Sequence, residues 1–304
     1  TCFAQGSRTS LSYIKETDFG VLPSTPTFAK LPYNTLDLQP SKDRVEGNEI
    51  QADRMPRVDR HGNKQVGGPL EVDLRKGDFD ELLEGAFFNT FSTDVLKIGT
   101  DLQYFSMEEH AEDITQFRLF SGLAVSSMNV SIAPNQMVTT SFDLVGKDMG
   151  QNQTTGSTGG TPTASSTNQP FDSYSGSISD GGSAISIVTS IDFSVTNSVA
   201  PTFVVGSDTA SCLEYGRAVV EGTMTVYYED ETLINKFLNE TESSIEVSVD
   251  DPTGANPYTF LFPRVKYNGA SVPVQNPQSR IITLPFVALY DSVENTNIKL
   301  TRTS

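Results

Sequence analysis

Residues 125–132 read VSSMNVSI and residues 188–195 read VTSIDFSV. Three of the eight positions are identical, and the other five exchange like for like. In the first stretch Met128, Val130 and Ile132 fall on one side and Ser127, Asn129 and Ser131 on the other. In the second, Ile191, Phe193 and Val195 oppose Ser190, Asp192 and Ser194. A period of two is that of a strand with one dry and one wet face. The same alternation returns at Phe142 and Leu144, at Val220, Met224, Val226 and Tyr228, at Ile245, Val247 and Val249, and at Ile282, Leu284, Phe286 and Ala288. Strands of this kind build antiparallel sandwiches and barrels. The expected fold class is all-β dominated, a β-sandwich or partial barrel, with one or two short flanking helices.

Each copy is followed by a polar turn and a second strand that ends in Val-Gly. This reads either as a duplicated strand–turn–strand unit or as a coincidence of β composition. Two such units form the two sheets of a sandwich, or two halves of one curved sheet. In either case Asn129 and Asp192 are expected at equivalent places on a polar face.

Two helices are expected. Phe79, Leu82, Leu83, Ala86 and Phe87 make one apolar face over residues 78–89, and Asp78 with Glu81 resembles a capping box. Residues 231–239 place Leu233, Ile234, Phe237 and Leu238 on one side. Residues 106–109 (SMEE) are read as a short helical turn. Residues 1–40 carry Pro23, Pro26, Pro32 and Pro40, which favours an extended N-terminal arm. Its apolar residues predict that it is docked. The remainder, 41–304, is read as a single β domain. Within it, residues 41–74 are dense in charges of both signs and read as a hairpin or extended loop, turning at His61-Gly62-Asn63. Residues 150–182 hold no Lys, Arg or Glu and are rich in Ser, Thr and Gly; they read as a flexible linker or exposed loop.

The net charge of -17 over 304 residues argues against a nucleic-acid binder, which needs Lys and Arg in excess. It suits a surface past which a polyanion slides without adsorbing. No apolar run approaches the roughly 18 residues of a membrane span. The first residues lack the basic stretch and apolar core of a secretion signal, so the protein is expected to act where it is made or to leave by a route without one. Cys2 and Cys212 read as two free thiols, Cys212 in a strand-poor loop.

The search for chemistry finds no site. His61 sits in the expected turn, and His110 lies among Glu108, Glu109, Glu112 and Asp113. That cluster fits no known metal-loop spacing and reads as a solvated acidic turn. There is no G-x-S-x-G elbow, phosphate loop or dinucleotide fingerprint. Asn129, Asn152 and Asn239 open glycosylation sequons that read as coincidence in a Ser/Thr-rich chain. No catalytic, cofactor-binding or metal-binding residue is assigned, and no enzyme is expected.

The segments GSRTSLSYIKETDFGVLPSTPTF, NEIQADRMPRVDRHGNKQVGGPLEVDL, DFDELLEGAFF, FSMEEHAEDITQFRLFSGLAVSSMNVSIAPNQMVTTSFDLVGKDM, GRAVVEGTMTVYYEDETLINKFLNETESSIEVSVDDPTG and FLFPRVKYNGASVPVQ follow in this order. In order and spacing the chain resembles the bacteriophage major tail tube proteins. The insert from Gly150 is its least family-like part. The resemblance implies a structural virion protein that assembles with itself into hexameric rings, with rings stacked around a lumen for genome passage. It implies a tape measure protein inside, tail terminator and distal tail proteins at the ends, and viral DNA that passes without specific binding. It also implies assembly in the host bacterial cytoplasm and no membrane partner. The alternative is a β-sandwich binding module, such as a sugar-binding adhesin. The exposed insert and the sequons fit that reading, while the absence of Trp counts against it.

Overall fold

The computed structural model describes residues 3–150, 156 and 160–303. Strands β1 (Thr9–Lys15), β2 (Ala29–Leu31), β3 (Thr35–Leu36), β4 (Gln39–Glu46) and β5 (Asp59–Asp73) precede helix α1 (Asp80–Phe87). Next come β6 (Val95–Lys97), β7 (Phe105–Ala111), β8 (Gln116–Ile132), β9 (Thr139–Gly146) and β10 (Asp148–Met149). They are followed by β11 (Asp172–Asp180), β12 (Ser183–Ala184), β13 (Val188–Thr196), β14 (Ala200–Thr202), β15 (Cys212–Glu214) and β16 (Val219–Tyr227). Helix α2 (Thr232–Leu238) leads to β17 (Ser243–Asp250), β18 (Tyr258–Tyr267), β19 (Ile281–Ala288) and β20 (Lys299–Arg302). Among the described residues the fold is all-β with two short α-helices, as the sequence predicts.

The repeated stretches are hydrogen-bonded neighbours. β13 runs antiparallel to β8, with Phe193 opposite Val130 and Ser194 opposite Asn129. They therefore lie side by side in one sheet. The larger repeat does not hold. β8 and β9 form a hairpin, but β13 pairs onward with β16, and among the described residues β14 pairs only with β15, in a separate small sheet. The likeness is confined to one strand, whose two copies share the same faces and the same neighbourhood.

The order β5–β9–β8–β13–β16–β19 makes one wall. β19 meets β18 over three residues, and β18, β17 and β11 form the opposite layer. Phe193 of β13 meets Phe260 and Phe262 of β18 across the core, each at 5.0 Å between ring centroids. Three backbone bonds close the far side: Leu74 N–H to Val138 O (2.9 Å), Val138 N–H to Phe171 O (2.9 Å) and Phe171 N–H to Leu74 O (2.8 Å).

β8 serves two sheets. Its first half pairs with β7 and β10, and its second half with β9 and β13. The bend falls where Gly122 takes φ +66°. A Cβ there would lie 2.7 Å from Lys147 and 2.8 Å from Phe19. Its N–H donates to the buried Glu16 carboxylate (2.8 Å), which also accepts from Ser106 Oγ (2.5 Å) and Gly20 N–H (2.7 Å). Burial pushes this carboxyl above its ordinary range, against the pull of those donors and of Lys147. Glu16 thus ties the N-terminal segment to the bend. That segment is docked as expected, because β1 sits between β2 and β7.

Helix α1 buries Leu82, Leu83, Ala86 and Phe87 as its spacing requires. The capping box does not form. The Asp78 carboxylate accepts instead from Ser166 N–H (2.8 Å) and Ser166 Oγ (3.1 Å). In α2 only Leu233 is buried, Ile234 and Phe237 pack partly on the core, and Leu238 is exposed.

Several expectations are overturned. Residues 106–109 are strand, not helix: β7 is paired on both sides, and Ser106, Met107 and Glu108 are buried. Tertiary pairing overrides the local helical signal of two adjacent glutamates. His61-Gly62-Asn63 is not the hairpin turn. Lys42 pairs with Lys64 and Arg44 with His61, so Gly62 and Asn63 together oppose Asp43 as a bulge. The turn signal is absorbed inside β5, and the hairpin reverses between residues 47 and 58. The 150–182 stretch is no linker in its described part. Lys30 N–H donates to Thr163 O and Thr163 N–H to Phe28 O, both at 2.8 Å. Asp172–Asp180 is a strand on β17. Residues 151–155 and 157–159 lie outside the described residues.

Candidate functional site

Because side chains alternate, pairing register decides which polar residues share the outer face of the wall. One rung reads Glu71, Ser141, Asn129, Ser194, Glu221, Val287, Lys266, crossing seven strands. The next reads Asp73, Thr139, Ser131, Asp192, Thr223, Pro285. A third joins Pro69, Asp143, Ser127, Thr196 and Val219. Five carboxylates lie on these rungs and a single cation, Lys266, stands at the far edge. Lys266 is already engaged by Glu240 at 2.9 Å. Asn129, Asp143, Asp192 and Glu221 are exposed, while their neighbours Met128, Val130, Phe142, Phe193 and Val220 are fully buried. Asn129 and Asp192 therefore share the polar face, as the repeat predicts. The sequence marks each residue as wet. That five carboxylates of four strands gather on one face follows only from the register.

The charged hairpin projects from one end of the wall. β4 is exposed along all of its residues and pairs only with β5 among the described residues. Its ion pairs, Arg44 to Glu46 (2.5 Å) and Arg44 to Asp59 (2.8 Å), are exposed and are worth about 0–1 kcal/mol each. Ile50 and Met55 near its turn are also exposed. The lower half of β5 is different: Val66, Leu70 and Val72 are buried in the core. Only residues from about 41 to 64 form the projecting element.

The residues singled out for chemistry are scattered. His61 is exposed on β5. His110 is not in a solvated turn but on β7, its ring stacked on Phe117 with centroids 4.0 Å apart. Glu108 beside it is buried. No three His, Cys, Asp or Glu side chains are grouped to hold a metal ion among the described residues. Cys212 lies on the short strand β15, exposed, with its Sγ 2.8 Å from Thr202 Oγ1. Cys2 and the Asn152 sequon lie outside the described residues. Asn129 is a wall residue, and Asn239 ends α2. No helix among the described residues is long and apolar enough to cross a membrane.

A family model described as phage tail tube protein matches residues 6–288. The chain belongs to this family. It is a structural protein of the phage tail, a component of the virion that assembles with itself into a tube. The tail tube family is generally non-enzymatic. No curated protein matches it.

Proposed function

We propose that the protein forms hexameric rings that stack into the tail tube, with the polar face of β5, β9, β8, β13 and β16 turned to a lumen through which the genome passes. The observation that carries this is the rungs of that face, with carboxylates at Glu71, Asp73, Asp143, Asp192 and Glu221. Fixed negative charge repels a polyanion, and Ser, Thr and Asn keep the wall wet without offering cations for phosphate to grip. Net charge of -17 per subunit acts in the same direction.

The projecting half of the β4–β5 hairpin is the ring-to-ring element in this reading. An unpaired strand edge is an aggregation hazard for a monomer and an assembly device for a ring. Partners follow from position: a tape measure protein within the lumen before ejection, and tail terminator and distal tail proteins at the tube ends. Assembly takes place in the host cytoplasm.

Electron microscopy of the purified protein tests the proposal. Tubes built of sixfold rings with a negative inner surface are expected. A strictly monomeric protein, or tubes whose inner surface is positive, would overturn it.

A further inference from the structure

β14 and β15 form a small finger beyond the end of β13, and its tip is apolar. Ser207 N–H donates to Val204 O at 3.3 Å. Gly206, third in this turn, takes φ +94°. A positive φ there alone is the type II pattern, which glycine meets without strain. The turn leaves Val205 fully exposed and Val204 more than half exposed. The finger is anchored at the hairpin base: Lys64 N–H donates to Asp208 O (2.6 Å), and Lys64 Nζ pairs with Asp208 at 3.0 Å. Two adjacent valines are thus held out on a fixed support.

At the other end of β13 lies a depression of about 360 Å3, lined by Ile132, Pro134, Asn135, Tyr174, Ile178 and Val188 among others. Tyr174 OH donates to Asn135 Oδ1 and fixes its rim. β13 itself spans from Val188 in the depression to Thr196 below the finger. Eight residue steps of strand separate the two features by roughly 26 Å. Tip and depression therefore stand at opposite ends of one wall.

We propose that the Val204–Val205 tip of one subunit seats in this depression of a second copy in the next ring. The inference rests on the stacked-tube reading and names the surfaces that meet. Charge identifies a second copy as the occupant. Residues 41–64, beside the finger, hold six Lys or Arg and five Asp or Glu, in a chain whose net charge is -17. The depression's end of the wall carries exposed Glu229, Asp230 and Glu231 just after β16. They are held there by Tyr227 N–H to Ile187 O (3.0 Å). Exposed Arg54 and Arg60 on the hairpin complement that acidic end. A contact between opposite ends of identical chains is heterologous, and where its operation does not close on itself it repeats along an axis, as in a stack.

The test uses the full chain carrying Cys2→Ser and Cys212→Ser, with Val205→Cys and Asn135→Cys added singly or together. Under mild oxidation of assembled tubes, the double variant is expected to give a ladder of crosslinked multimers on a non-reducing gel, and each single variant none. Separately, Val205→Asp is expected to raise the subunit concentration needed for tubes about tenfold or more, with an unchanged thermal melt because Val205 touches nothing in its own subunit's core. Tubes without a ladder, a ladder that stops at dimers, or unaltered assembly of Val205→Asp would each overturn the contact while leaving the tube reading intact. A parent protein that forms no tubes would overturn both.

Discussion

Asn129 and Ser194 face each other across β8 and β13 on the exposed side of the wall. Glu221 stands on the same rung, opposite Ser194, and Asp192 and Asp143 lie on the rungs to either side. With this face turned to the lumen, reversing its charge creates a phosphate-binding surface. Asp192→Lys with Glu221→Lys replaces two exposed side chains, so stability should change by no more than about 0.5 kcal/mol per site. Tubes of the parent protein should leave short duplex DNA in the supernatant on sedimentation, and tubes of the double variant should retain it. Retention should weaken steeply with added salt, the mark of counterion release. Equal recovery of DNA with both tubes would place this face elsewhere than the lumen.

Asp192 and Phe193 are adjacent in sequence and opposite in fate. Phe193 is about 1 % exposed and touches both Phe260 and Phe262. Phe193→Ala removes the ring at the centre of the core and should cost about 3–5 kcal/mol. Asp192→Ala should stay within about 0.5 kcal/mol of the parent. Urea unfolding followed by fluorescence or circular dichroism separates the two. Similar losses at both positions would mean that the register across β8, β13 and β16 is wrong.

The alternation at Met128, Val130, Ile191 and Phe193 was enough to assign strands and faces, because burial of one face imposes a period of two. It was not enough to pair them. Nothing in VTNSVAP and its surroundings states that β13 turns away to β16 rather than forming a hairpin with the next segment. That choice depends on which long-range partner buries Phe193 against Phe260 and Phe262. The same limit explains the misread segments. Residues 106–109 hold two helix-favouring glutamates, yet neighbouring strands on both sides fix them extended. The Gly62-Asn63 signal describes a backbone that must kink, and a bulge satisfies it as well as a turn. In residues 160–171 a polar, Gly-containing composition hides a docked segment, since its partners, Asp78 and the backbone at Phe28 and Lys30, lie far away in sequence. The acidic face was legible as charge but not as a place, and the depression and the Val204–Val205 tip left no sequence signal beyond two apolar residues beside a glycine.

Glu294 links the segment after β19 to two strands. Its carboxylate accepts from Lys299 Nζ (2.7 Å) and Lys97 Nζ (3.2 Å). The hydrogen bond from Lys299, the largest cause, holds its pKa below the ordinary 4.5; burial opposes it, and the hydrogen bond from Lys97 and the charges of both lysines add to the lowering. A carboxyl depressed in the folded state stabilises the fold above its unfolded value and loses that contribution as pH falls through the folded value. Stability should therefore decline from about pH 5 downward, and Glu294→Gln should remove part of the slope. The side chain is partly exposed, so the difference at neutral pH should be at most about 1 kcal/mol. Thermal melts at pH 7 and pH 3 check the sign. A variant that gains stability at pH 7, or whose pH slope matches the parent's, contradicts this account.

The hairpin separates assembly from folding if its boundaries are chosen from burial. Deleting all of residues 41–74 would remove Val66, Leu70 and Val72 from the core, together with every hydrogen bond between β5 and β9. Such a variant should not fold. Replacing residues 44–60 with a short Gly-Asn turn leaves that half of β5 in place and removes only exposed side chains and surface ion pairs. Its midpoint of urea unfolding should match the parent's closely, since each lost pair contributes about 0–1 kcal/mol. Its tubes should be absent or reduced to isolated rings in electron micrographs, because the open edge of β4, the exposed Ile50 and Met55, and the hairpin's cations are lost together. Tubes of ordinary length from this replacement would show that ring stacking is carried elsewhere. Loss of the folded core would show that the hairpin supports its own subunit.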